Sequence, residues 1–359
     1  MAEAARTGLA PATRVLISVA AATIGIVGIA LGREFLAPLI LAAVMVIIVH
    51  PLRGMITRAG GPSWLGTITV IATAYAILAA LAVVVVFALA QFVSLLPQYS
   101  DDFAAVLADI RSWLAGIGFD DATVEEDLAG IDPVAVGQAA LAAVSGLLGW
   151  LLAFVLVLAY ILFAAVDSAR YGDLAQRFSG THGRAIASMR GFTSGVRRYM
   201  VVNAIFGLVV AVLDGLLLLA LGVPGVFIWA VLAFVTNFIP NIGFVIGVIP
   251  PFLLALATGG WGAALAVLAG YCVINFTMQE LVQPKFVSDA VGLSLTLTFA
   301  SVVFWTMVIG PIGAILAVPL SLFVRAILFD VDPDARWSRA LSGSHPEEEP
   351  PPVETPTGA

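Results

Sequence analysis

The chain has 359 residues, 61% of them hydrophobic and 11% charged, with a net charge of −7. A soluble domain carries about 25% charged residues, so this is a membrane protein with only short soluble parts, and its acidic balance points away from nucleic acid as a partner. Lysine occurs once, as Lys285, which excludes a Walker A phosphate loop and ATP hydrolysis by this chain, and the single Cys272 excludes an intrachain disulfide.

Residues 1–96 read as N-terminal membrane helices. Val15–Leu31 is the first apolar segment, at the lower length limit for a spanning helix; no small-residue cleavage site follows, so a retained helix is expected rather than a leader. Phe35–Val49 returns across the bilayer, and a loop with His50, Arg53, Arg58 and Gly60-Gly61-Pro62 follows. Trp64–Leu96 is apolar for 33 residues. At 1.5 Å per residue that is roughly 50 Å, against a hydrocarbon core of about 30 Å, so one end overhangs the membrane.

Residues 97–132 are acidic, with nine carboxylates from Asp101 to Asp132 against Arg111 alone. Phe103, Val106, Leu107, Ile110 and Leu114 recur at helical spacing there, and Asp132-Pro133 has the form of an N-cap followed by proline at the first helical position. With a fourth membrane helix over 133–166, this predicts an acidic extracytoplasmic protrusion. Residues 167–199 are basic: Arg170, Arg177, Arg184, Arg190, Arg197 and Arg198 stand against Asp167 and Asp173. Ile186, Met189, Phe192, Val196 and Tyr199 form one apolar face, the pattern either of a helix in the membrane interface or of one packed on the protein's own surface. Arg6, Arg14, Arg53, Arg58 and these six arginines fall on one side if each long apolar run spans once, which predicts cytoplasmic N- and C-termini.

Residues 200–329 form the predicted transport region, and 330–359 a polar tail too poor in apolar surface to order itself. Within the transport region, Phe227–Leu256 and Leu295–Phe323 are apolar runs broken in the middle, by Asn237-Phe238-Ile239-Pro240-Asn241-Ile242-Gly243 and by Ile309-Gly310-Pro311-Ile312-Gly313. They match at an offset of 70 residues: Phe234 with Phe304, Thr236 with Thr306, Ile239 with Ile309, Gly243 with Gly313. Broken helix at bilayer depth is tolerated only where protein buries it or a watery cavity meets it, and paired interruptions in two repeats point to a transporter's binding site. Fold class is therefore all-α and polytopic, with about eight membrane segments. The broken segments either cross fully or fold back as hairpins; Lys285 falls on the basic side only in the second case, which charge favours.

From Val201 to Val324 the charged residues are Asp214, Glu280, Lys285 and Asp289. Asp214 and Glu280 lie within apolar spans and are candidate proton or sodium coupling groups, against the plainer reading that each reaches the headgroups from a helix end. Asn275, Gln279 and Gln283 recur every four residues on one face, to bond a neighbouring helix or to meet substrate. Thr236, Asn237, Pro240, Asn241 and Gly243 at the first break, and Thr306, Gly310, Pro311 and Gly313 at the second, complete the expected pathway for a small polar solute or a cation. No catalytic residue, metal site or cofactor is expected: His50, His182 and His345 are not mid-span, and no zinc cluster can be assembled.

The run Asn237 to Gly243 continuing to Ile249-Pro250, with Gln283-Pro284, Val291-Gly292-Leu293 and Gly310-Pro311-Ile312-Gly313 through Val318-Pro319, resembles the autoinducer-2 exporter (AI-2E) family, also called the PerM permeases. The resemblance implies a bacterial inner-membrane permease, homo-oligomeric with pentamers in keeping with the family, that exports the quorum-sensing signal autoinducer-2 or, in some members, exchanges sodium for protons. This chain departs from it in carrying Ser294 where many relatives have proline, and Asn241 where others have tyrosine. The reading is a transporter working by elevator or rocking motion of an inverted repeat. The alternatives are a sodium/proton-type antiporter and a passive channel or scaffold.

Overall fold

A computed structural model describes residues 11–99, 147–240, 242–283 and 294–328, with Ala105, Ala108 and Ser112 as isolated positions. The acidic protrusion's small helix, the Asp132-Pro133 cap, Asn241, Lys285, Asp289 and the tail lie outside them. The described residues form helices and no strand: α1 Pro11–Leu31, α2 Arg33–Val49, α3 Pro51–Arg58, α4 Ser63–Leu95, α5 Leu147–Arg177, α6 Ser179–Ala220, α7 Val226–Thr236, α8 Ile242–Asn275 running into a π-helix at Phe276–Val282, α9 Leu295–Ile309, α10 Pro311–Ile315 and α11 Ala317–Leu328. Four helical stretches, Arg33–Arg58, Ser63–Tyr99, His182–Ala220 and Ile242–Gln279, are long and apolar enough to cross a membrane.

Three apolar clusters hold these helices. In the first, Ala42, Met45 and Val46 of α2 meet Val70, Ala74 and Leu78 of α4 and Val157, Ile161 and Ala165 of α5. Small residues at such contacts let backbones approach, and the Tyr75 hydroxyl donates to the Leu158 carbonyl at 2.6 Å. Large side chains on the opposite faces, such as Val83, Phe87 and Phe163, are exposed and available to lipid.

Most of the basic stretch and the apolar run that follows it from Met200 are one helix. α6 has 42 residues and departs from helical geometry only at His182, so no break separates Tyr199 from Met200. α5 likewise runs past the expected end at Val166 to Arg177. Of the two settings predicted for the basic helix, packing on the protein is the one found. Phe192, Val196 and Tyr199 join the second cluster with α2, α9 and α11, the Phe192 and Phe323 rings lie 5.4 Å apart, and the Ser188 hydroxyl donates to the Ala326 carbonyl at 2.8 Å. Met189 is exposed.

Both broken segments fold back. α7 has 11 residues, roughly 16 Å and too short to cross a core of about 30 Å. It packs against the start of α8 in the third cluster, where Ile228 and Trp229 meet Val248, Leu254 and Ala255. Gly260, at φ 70° and ψ −170°, then ends this arm of α8 and starts the span that follows. In the second broken segment Gly310 turns the chain at φ 87°, a conformation glycine adopts without a Cβ penalty. The Trp305 indole nitrogen then reaches back to the Ser321 hydroxyl at 3.1 Å. The fold-back is tight at matching positions: a Cβ on Gly243 would collide with the Thr236 carbonyl oxygen, and one on Gly313 with that of Trp305.

The basic segments gather at one end. His50 lies beside both Arg53 and Arg197, and Ser188 is bonded next to Arg325 through Ala326. The far end of α8 comes to the same end, because the Gln283 amide donates to the Asn203 side chain at 2.7 Å.

Two predictions follow from this packing. Gly243→Ala and Gly313→Ala each destabilise the detergent-purified protein by about 1–3 kcal/mol or more, since backbone rather than a side-chain tip must move; Gly262→Ala, whose Cβ meets nothing within 4 Å, leaves the melting profile unchanged. Lys285→Cys in a Cys272→Ser background is labelled by an impermeant maleimide from the same face as Arg58→Cys. Labelling from opposite faces would overturn the fold-back topology.

Candidate functional site

Polar side chains from three elements meet at the first break. α6 presents Asn203, Gly207, Val210 and Asp214 at spacings of four, three and four residues, hence along one face. α8 and its π-turn present Tyr271, Asn275, Gln279 and Gln283. Steps of four in an α-helix overshoot a full turn by about 40° each. The wider π-turn at Phe276–Val282 offsets that drift and keeps the four on one line; such bulges recur at functional sites. The end of α7 and the break supply Thr236 and Asn237.

Together these residues make a continuous amide ladder. Gln283 donates to the Asn203 side chain at 2.7 Å, and Asn237 donates to the Asn203 backbone carbonyl at 3.0 Å. Gln279 donates to the Asn237 side-chain oxygen at 3.1 Å and to that of Asn275 at 3.0 Å. Asn275 donates to the Tyr271 carbonyl at 2.9 Å. Asn237 reaches α6 only because residue 207 is glycine, since a Cβ there would stand 2.8 Å from the Asn237 amide nitrogen.

At the end of the ladder lies a cavity of about 220 Å³ of empty space, its mouth included, walled by Asp214, Thr236, Asn237, Tyr271, Asn275 and Gln279 and floored by Gly243 and Gly247. Thr236 spends its hydroxyl on the Leu232 carbonyl at 2.9 Å. Asp214 is 1% exposed, so it does not reach the headgroups, and neither of its carboxylate oxygens has a hydrogen-bond partner. Asn275 stands beside it, giving one amide hydrogen to the Tyr271 carbonyl and keeping the other on the side of the carboxylate, short of a well-formed bond. The Tyr271 hydroxyl, in the same cavity, is also buried without a partner.

The structure thus brings together Asp214, Thr236, Asn237, Gly243, Asn275 and Gln279, with Gln283 one bond away. Pro240 is half-buried at the turn, where its carbonyl accepts the Ile242 amide at 2.7 Å. The second break stands apart. Thr306 is exposed and bonds its own helix at Val302. Gly310 and Pro311 make the turn, and Gly313 packs on Trp305. Ile309, Ala314, Leu316 and Val318 around them sit in the second apolar cluster, which Phe238, Ile239 and Ile242 of the first break also join. Among the described residues, a cavity lies at the first break and apolar packing lies between the two breaks. Glu280 falls within the π-turn, and its side chain lies outside the described positions. Asn203, Gly207, Gly247 and Tyr271 are site residues that sequence reasoning missed; Asn203, Gly207 and Asp214, spaced four and seven apart on an otherwise apolar helix, were the available signal.

The AI-2E family transporter profile matches residues 16–331. The chain is 30% identical to the AI-2 transport protein TqsA of Escherichia coli K12 over 320 residues, 88% of this chain and 91% of the relative. It is 26% identical to YhhT of the same organism over 308 residues, 86% of this chain and 88% of the relative. A Haemophilus influenzae relative is 27% identical over 338 residues, covering 91% and 96% of the two chains.

Asn237→Ala removes two rungs and leaves the Gln279 amide with its bond to Asn275 alone, at an expected cost of about 1–3 kcal/mol. Gly207→Ala reaches a similar result by pushing Asn237 off α6. Thermal unfolding of both variants and the double variant checks this: the second change adds little to the first if they act through the same contact.

Proposed function

The chain belongs to the AI-2E family of transporters, and from that premise we propose that it carries a small polar solute of the autoinducer-2 type out across the bacterial inner membrane, through the cavity at the first break. The observation that carries this reading is the amide ladder. Five amide side chains from three elements converge deep among apolar helices, where a polar group left unpaired is costly. Amides are donor and acceptor at once, so their partners can be exchanged for those of a hydroxyl-rich solute at little net cost. That TqsA is named an AI-2 transport protein supports the solute class.

Movement is by alternating access. The hairpin of α7 and the start of α8 is held to α6 on its polar side by the ladder and to the end of α6 and to α4 on its apolar side by the third cluster. The gathering of Arg53, Arg197 and Arg325 at one end supports cytoplasmic termini, with the acidic residues 97–132 outside. Assembly as a homo-oligomer, a pentamer among the options, belongs to this reading through the family resemblance. The second reading, a cation antiporter, is favoured by one observation: the unpartnered Asp214 carboxylate in the cavity wall.

Counterflow of labelled autoinducer-2 in proteoliposomes tests the proposal. A carrier saturates and exchanges internal for external solute; a channel does neither. Asn237→Ala is expected to lower exchange about tenfold or more, the equivalent of at least 1.4 kcal/mol of lost solute contact, with normal membrane insertion. Unchanged exchange in this variant would move the pathway elsewhere.

A further inference from the structure

We infer that Asp214 binds and releases one proton as the cavity closes and opens, holding it as the neutral acid whenever the cavity is sealed. This deepens the transport reading above and rests on it for the opening and closing. The geometry behind it is independent: Asp214 is 1% exposed, Tyr271 is 1% exposed, both face the same cavity, and neither Asp214 oxygen nor the Tyr271 hydroxyl has a partner. A carboxylate sealed in low dielectric without a counter-charge costs several kcal/mol, and a proton or a cation must neutralise it.

Among the described residues its surroundings supply no counter-charge. On α6 the nearest bases are Arg197 and Arg198, more than four turns away. α7 carries no ionisable residue, α8 offers Tyr271 and the outward, exposed Cys272, its π-turn carries Glu280, and α4 with its following turn offers Tyr75 and Tyr99. None of these is cationic.

The free ligands of the cavity favour a proton over a metal cation. The side-chain oxygens of Asn237 and Asn275 already accept from Gln279, and the Thr236 hydroxyl is turned to its own helix. The oxygens of the wall that are buried without a partner are those of the carboxylate and one phenol, a thin shell for an alkali ion but enough for a proton and one bridging water. The interior has room for about one water molecule, and one placed between Asp214 and Tyr271 would satisfy both. On opening, the carboxyl O–H bond breaks, the proton passes to that water and leaves as hydronium, and the carboxylate is solvated. On closing, the proton returns along the same route.

Infrared difference spectroscopy of the purified protein reads this directly, with protons and sodium ions as the probes. The wild type is expected to show a protonated-carboxyl C=O stretch at neutral pH that is lost at alkaline pH and is missing in Asp214→Asn. Tyr271→Phe keeps the band at a shifted frequency, because the water that bridges to the carboxyl loses its other partner. This second variant keeps the test alive should Asp214→Asn not fold. Identical spectra for wild type and Asp214→Asn, or an unshifted band in Tyr271→Phe, overturn the assignment. Loss of the band on adding sodium at constant pH overturns the proton in favour of a cation site. The measurement needs no transported solute, so failure of autoinducer-2 counterflow and failure of this inference are told apart.

Discussion

Everything in the second half of this chain depends on one constraint: a helix broken within hydrocarbon must find partners for its freed backbone and for whatever side chains the break brings with it. The backbone is met the same way at both breaks, by tight local bonds. Ile239 bonds Thr236 at 2.8 Å and Gly243 bonds Ile239 at 3.0 Å in the first, while Gly310 bonds Thr306 at 2.9 Å and Gly313 bonds Gly310 at 2.8 Å in the second. The two differ in their side chains, and that difference sets what each break can do.

At the second break the side chains are isoleucine, valine and alanine, and burying them in the cluster with α2 and α6 is favourable by about 25 cal/mol per Å². At the first, Thr236 and Asn237 require hydrogen-bond partners: Thr236 finds one on its own helix, and α6 and α8 supply Asn237 with Asn203 and Gln279. The same device therefore has two uses. One hairpin is a packing element whose close fold-back is permitted by Gly313, and the other is a polar junction permitted by Gly243 and Gly207.

The break positions, the tight glycines, the polar face of α8 and the isolation of Asp214 were legible because each departs from a strong apolar background. The dry setting of the second break was not. Gly-Pro-x-Gly announces a turn whatever surrounds it, and only the tertiary packing shows that Trp305, Leu316 and Val318 surround this one with apolar side chains. Asn203 was hidden for the opposite reason: a single amide at the start of a span has no periodic companion of the same type, and its role comes from Gln283, 80 residues on. The continuity of α6 was lost because composition changes sharply at Tyr199 while the backbone does not. Arginine and valine are both compatible with helix, so a change of solvent was taken for a change of element.

The arrangement also bears on where the molecule can part. On its apolar side the first hairpin joins Leu218, Val267 and Phe92 in a cluster that loses its hydrophobic stabilisation if separated. On its polar side it is held to α6 by the Asn237 bond and through Gln279, net contributions of about 1 kcal/mol each that water or a solute can replace. Separation is therefore cheapest along the ladder, the line on which Asp214 and Tyr271 lie. A seam that opens there wets the carboxylate and leaves the apolar packing whole, so charge appears on Asp214 only when water is present to solvate it. The coupling between ionisation and opening needs no separate device; it follows from placing one acid at the hydrophilic edge of an otherwise apolar hinge.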